Sequence, residues 1–176
     1  NQGGHAVTRF EPRTASLSRV TSETEVAITV NVDGAGRANV DTGIGFLDHM
    51  FTALARHSSI DIDLSCTGDT HIDCHHSAED CAMMLGRAIN AALGERIGIE
   101  RFADATVPMD EALARAAIDL SGRPWPAIDL GLRREMLGGI ACENLVHVLT
   151  TLAIELRAAV HIDVLKGRND HHRAAV

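Results

Sequence analysis

Histidine is the over-represented chemical group in this chain: ten in 176 residues, more than Phe, Trp and Tyr together. Their spacing repeats. His49 sits in a segment of helical apolar period, a strand-like alternation follows, and then comes the adjacent pair His75-His76. The second half has His147 in a helical segment, an alternating segment, and His171-His172 at nearly the same separation. Glu79 lies four residues after His75 and three after His76, offsets that share one helix face, so imidazole and carboxylate can converge. Imidazole with carboxylate suits divalent Mn, Fe, Co or Zn. A lone histidine on a helix is ordinarily a packed or solvated residue; a matched set beside a carboxylate indicates metal ligation. His5, His57, His71 and His161 have weaker claims, His57 because a cation suits a helix C-terminus.

The rest of the composition narrows the function. Net charge is −8, aromatics are 3% and Tyr is absent, which argues against nucleic acid as a partner. The 45% apolar and 23% charged content is that of an ordinary globular domain. Cys66, Cys74, Cys81 and Cys142 form no C-x-x-C, so a structural zinc knot is disfavoured and a reduced, cytoplasmic compartment is expected. Glu143, Glu155 and Arg157 interrupt the most apolar stretch, so no membrane span is expected. The beginning of the chain lacks an apolar secretory core; a plastid transit segment removed earlier would leave no trace.

The elements that must hold the histidines read in the same order twice. Residues 1–14 read as a leader. Val26, Ile28, Val30 and Val32 alternate as a strand, Asp33-Gly34 turns, and Arg37 to Thr42 returns as another. Phe46, Leu47, Met50, Phe51 and Leu54 predict a helix ending near His57, and Ile60, Ile62, Leu64 and Cys66 a strand. Ser77 with Asp80 resembles a capping start for a helix running to about Leu93. In the second half, Ala112–Leu120, Ala127–Leu130 and Val160–Val164 predict strands, and Glu143 to about Ala158 a helix. The reading is an α+β fold made by internal duplication of a βαβα-type unit. Residues 15–97 and 98–176 are the two repeats, with no linker between them, sharing one compact domain.

Five segments, TGIGFLDHM, GDTHIDCHHSAED, RFADATVPMDEAL, DLSGRP and GRNDHH, carry a further signal. In this order and spacing the chain closely resembles the imidazoleglycerol-phosphate dehydratase family over about residues 15–175. The resemblance implies helices packed between two four-stranded sheets (a ribosomal protein S5 domain 2-like arrangement). It implies homo-oligomers, a trimer that metal assembles into a twenty-four-subunit shell, with two Mn²⁺ in each active site at subunit contacts. Carried over position by position, it makes His49, His75, His76, Glu79, His147, His171 and His172 metal ligands. It makes Glu23 of TSETEV the acidic residue of proton transfer and Arg101 and Arg123 the phosphate-binding pair. The chain departs from the family at Ala175, where the second carboxylate ligand is expected. It stops at Val176, short of the family's next helix and phosphate-binding lysine.

The chemistry implied is manganese-dependent dehydration of imidazoleglycerol phosphate to imidazoleacetol phosphate, a step of histidine biosynthesis. Metal on the ring nitrogens favours imidazolate, which expels the neighbouring hydroxide as a diazafulvene and makes the next C–H acidic. A general acid and a general base are then needed, and Glu23 fits one role. Asp48 and Asp80 flank ligands and are candidates to orient imidazoles. Two other readings compete: a metal-assembled oligomer of the same fold with impaired catalysis, and a hydrolase using metal-bound hydroxide. The last explains the histidines but not DLSGRP or FLDHM.

Overall fold

In the computed structural model the described residues are 11–176, so most of the leader expected over 1–14 lies outside them; Thr14 already begins a strand. The first sheet holds β1 (Thr14–Val20), β2 (Thr24–Asn31), β4 (Asp61–Gly68) and β3 (Ala38–Asp41), in that spatial order. The second holds β5 (Phe102–Met109), β6 (Ala112–Asp119), β10 (Ala159–Lys166) and β7 (Trp125–Asp129), and β8 (Met136–Leu137) with β9 (Ile140–Ala141) forms a separate short ribbon. The two orders correspond strand for strand. In each sheet the first two strands pair antiparallel, the second pairs antiparallel with the long strand after the helix, and that strand pairs parallel with the short edge strand. The duplication read from the histidines is thus present in the hydrogen-bonding topology.

Helices α1 (Gly45–Ser58), α2 (His75–Leu93), α3 (Cys142–Leu156) and α4 (Asp170–Ala175) supply the inner layers. Helix α2 packs on the first sheet and on α3, and α3 packs on β7. In β2, Val26, Ile28 and Val30 face inward while the intervening residues face out, the two-residue period of a half-covered sheet. Leu47, Ile62, Leu64 and Leu85 are fully buried beneath it; truncating such a leucine to alanine costs about 2–5 kcal/mol. The α2–α3 crossing is tight at Gly86, where an added Cβ would lie 2.9 Å from Leu152 O and 2.8 Å from Glu155 Cβ. Glycine there lets the two helices touch backbone to backbone.

Three local expectations are corrected. Residues 38–41 do not return as a hairpin partner of β2; they pair parallel with β4, across the sheet. Helix α2 starts at His75, with Ser77 buried inside its first turn and making no cap hydrogen bond. Strands β1 and β5 occupy segments where no strand was read. Pro108 in β5 and Pro126 in β7 sit on edge strands, where a missing N–H breaks least of the ladder.

Candidate metal centre and active site

All six paired histidines stand at or near helix N-termini, each in the first or second turn of its helix. The fold then pairs them across the repeats. His75, from the first half, stacks on His147, from the second, with ring centroids 5.1 Å apart and planes at 18°. His49, from the first half, stacks on His171, from the second, at 6.0 Å and 22°. Each pair is therefore one helix-start histidine against one second-turn histidine of the other repeat.

The first pair has a carboxylate. Glu79 Oε1 lies 3.1 Å from His147 Nε2, and Glu79 Oε2 lies 3.8 Å from His75 Nε2. One ligand atom from each of these three residues lies within 4.8 Å of the others, the only such group among the described residues. Two imidazole nitrogens and one carboxylate oxygen at this spacing fit a borderline divalent cation. Next to this group, Arg19, Thr21, Glu23, His76, Glu79 and Asp80 line a cleft of about 230 Å³.

The ring tautomers follow from hydrogen bonds that the sequence did not reveal. Asn144 Nδ2 donates to Cys74 Sγ, which leaves its Oδ1 to accept from His75 Nδ1 at 3.0 Å. Asp69 Oδ2 accepts from His76 Nδ1 at 3.1 Å, and Glu111 Oε2 from His172 Nδ1 at 2.7 Å. All three imidazoles are thus fixed as Nδ1–H tautomers with Nε2 available to an electrophile. The Asp69 carboxylate raises the His76 pKa, and the His172 ring with the Asn169 and Arg168 amides draws Glu111 down to about 2. Asp69 and Glu111 carried no periodic signal; their place in GDTH and MDEAL, beside quoted motifs, was the available clue.

Asp48 and Asp80 do not orient imidazoles. Asp48 Oδ1 accepts from the Thr42 amide at 2.7 Å and the Thr42 hydroxyl at 2.6 Å, closing the start of α1. Asp80 is buried and accepts from the Thr24 hydroxyl and from Arg19 Nε at 3.2 Å, tying α2 to the first sheet.

Glu23 is exposed and within the electrostatic reach of His76. Ser22 Oγ donates to it at 2.7 Å and holds its carboxyl below the ordinary range, so it is an anion at neutral pH. Arg101 forks onto Asp119, with Nε–Oδ1 2.6 Å and a second bond of 3.0 Å, and stacks over Phe102. Arg123 also acts on Asp119, so the two arginines gather at one end of the second sheet. Neither bonds to the histidine groups among the described residues.

Comparison with known proteins gives the family. The imidazoleglycerol-phosphate dehydratase family model matches residues 42–176. An imidazoleglycerol-phosphate dehydratase of Phytophthora nicotianae is 51% identical over 162 residues, covering 92% of this chain and 36% of that longer protein. One from Chlorobium luteolum is 48% identical over 161 residues, covering 92% of this chain and 80% of the other. Among solved structures, the Staphylococcus aureus imidazoleglycerol-phosphate dehydratase superposes with TM-score 0.82 at 28% identity, over 92% of this chain and 90% of that one. The Pyrococcus furiosus structure superposes with TM-score 0.76 at 32% identity, over 90% and 85%. With matched histidine helices, a duplicated sheet topology and these relatives, the chain belongs to the imidazoleglycerol-phosphate dehydratase family, hydro-lyases of histidine biosynthesis.

Proposed function

We propose that this chain dehydrates imidazoleglycerol phosphate to imidazoleacetol phosphate with Mn²⁺ as its metal. The observation that carries the reading is the convergence of His75, Glu79 and His147 beside the cleft that Glu23 lines. A divalent cation there would supply Lewis acidity toward the substrate's imidazole ring. His75, Glu79 and His147 hold one ion, and His49 with His171 contribute to a second. His76 and His172, which lie outside the triad with their Nδ1 atoms bonded to Asp69 and Glu111, serve centres completed by a neighbouring copy.

Glu23 lines the cleft as an exposed carboxylate, a place from which it can accept a carbon-bound proton; a positioned base of this kind contributes about 10²–10⁴-fold. Arg101 and Arg123 hold the phosphate, the substrate taking over the forked contact that Asp119 now receives from Arg101. Phe102, Val107, Trp125 and Leu165, all on the second sheet, are exposed large apolar residues, which supports burial against further copies in a trimer and a metal-linked shell. The repeats 15–97 and 98–176 act as one domain, because each histidine pair takes one ring from each. No helix of the described residues is long and apolar enough to cross a membrane. A cytoplasmic location is part of the proposal.

A second reading keeps the metal-linked assembly without turnover, and Ala175 at a carboxylate position favours it. Two measurements separate them. Light scattering should show a large mass increase when Mn²⁺ is added to metal-free protein, and the product ketone should form from imidazoleglycerol phosphate. Assembly without product supports the second reading; neither assembly nor product overturns both.

A further inference from the structure

The two cross-repeat histidine pairs have the same geometry but not the same chemistry. Aligned on their histidines, α2 reads His75-His76-Ser77-Ala78-Glu79 and α4 reads His171-His172-Arg173-Ala174-Ala175. The anionic oxygen that completes the first group is a methyl group in the second. We propose that the chain carries two unequal cation sites: a tight one at His75–Glu79–His147 and a weak, exchangeable one at His49–His171. The inference rests on the metal reading of these pairs and adds their ranking.

Among the described residues no neighbouring carboxylate makes up the loss. Asp48, one residue before His49, is engaged by Thr42. Asp170, one residue before His171, is buried and accepts from the Arg133 and Arg134 amides at 2.9 and 2.7 Å. Glu111 accepts from His172 and from the Arg168 and Asn169 amides. Asp110 Oδ2 lies 3.7 Å from His172 Nε2, so it faces the other histidine of the pair. In place of Ser77, α4 carries the cation Arg173, whose guanidinium bonds the Leu130 and Gly167 carbonyls. Phe46 packs edge-on to both His49 and His171, at 6.4 and 5.3 Å. An ion there would meet two imidazoles and an aromatic edge, with no carboxylate grouped with them among the described residues. Removing even an outer-sphere partner of a metal ligand typically weakens binding about 10–100-fold, and a missing anionic ligand should weaken it by at least the lower figure.

The test is a Mn²⁺ titration of the metal-free chain, with free ion read by its solution EPR signal. Two classes should resolve, one equivalent each per chain, with affinities at least about tenfold apart. Glu79→Ala should abolish the tight class, and His171→Ala should remove only the weak one. Ala175→Glu should tighten the weak class toward the other. Two indistinguishable sites in the parent chain, or loss of the tight class in His171→Ala with Glu79→Ala unaffected, would overturn the ranking alone. No Mn²⁺ binding by the folded parent chain would overturn the metal reading itself.

Discussion

His147 Nε2 lies 3.1 Å from Glu79 Oε1, across a contact between helices contributed by opposite repeats. A half-exposed carboxylate bonded to imidazole adds little to folding, since surface ion pairs are worth roughly 0–1 kcal/mol. In the proposed centre its part is that of an anionic ligand. Glu79→Gln should therefore leave the unfolding midpoint nearly unchanged while product formation falls by at least about 100-fold, the upper range for lesser, outer-sphere losses. Circular dichroism melting and a product assay at saturating Mn²⁺ check both halves. Full activity in the folded variant would remove Glu79 from the centre.

The same contact depends on a residue with no chemistry of its own. Gly86 is where α2 meets α3, and an added Cβ would sit 2.9 Å from a backbone carbonyl. Gly86→Ala should cost about 1–3 kcal/mol through overpacking. Because α2 carries His75 and Glu79 and α3 carries His147, pushing the helices apart should also weaken Mn²⁺ binding. Denaturant unfolding and a Mn²⁺ titration measure the two effects. A destabilised variant with unaltered affinity would show that the crossing does not set the spacing of the ligands.

The convergence of helix-borne side chains was legible because offsets of three and four fix which of them share a face, as for His75 and Glu79. Which histidine meets which was not. The sequence order leaves the partners open; α2 packs on α3, so His75 meets His147. The strands with one dry face, such as β2, announced themselves by alternation. Strand β5 did not: it is an edge strand, exposed along nearly its whole length and carrying Pro108. The parallel pairing of β3 with β4 depends on a crossover through α1, which a turn signal at Asp33-Gly34 cannot encode. Asp69, Glu111 and Asn144 orient rings by tertiary contact alone, and no local pattern marks a residue whose partner arrives from elsewhere in the chain.

Asp69 offers a test of ring orientation separate from ligation. Its carboxylate accepts from His76 Nδ1 and keeps Nε2 outward. Asp69→Ala should reduce the Mn²⁺ affinity of the centre His76 serves by about 10–100-fold, with Asp69→Asn, which keeps an accepting oxygen, losing less. Nitrogen NMR of the imidazole should report a mixed tautomer in Asp69→Ala and the Nδ1–H form in the parent. An unchanged tautomer would mean that another contact fixes the ring.

The acid limb of stability should be governed in part by carboxylates far from the metal centre. Arg13 donates to both oxygens of Asp33, and its amide adds a third bond, which together lower the Asp33 pKa to about 2. Arg37 does the same for Asp61, with the Ala35 and Arg37 amides, again pushing the carboxyl down. A carboxyl with a depressed folded-state pKa contributes stability that is fully present above its ordinary pKa of about 3.9 and lost as pH falls through the folded value. Urea midpoints should therefore hold steady above about pH 5 and fall between about pH 4 and pH 2. Asp33→Asn should shallow that decline, because the variant has no proton to take up there. A parent and variant with parallel profiles would show that the Arg13–Asp33 contact is solvated away and does not couple to folding.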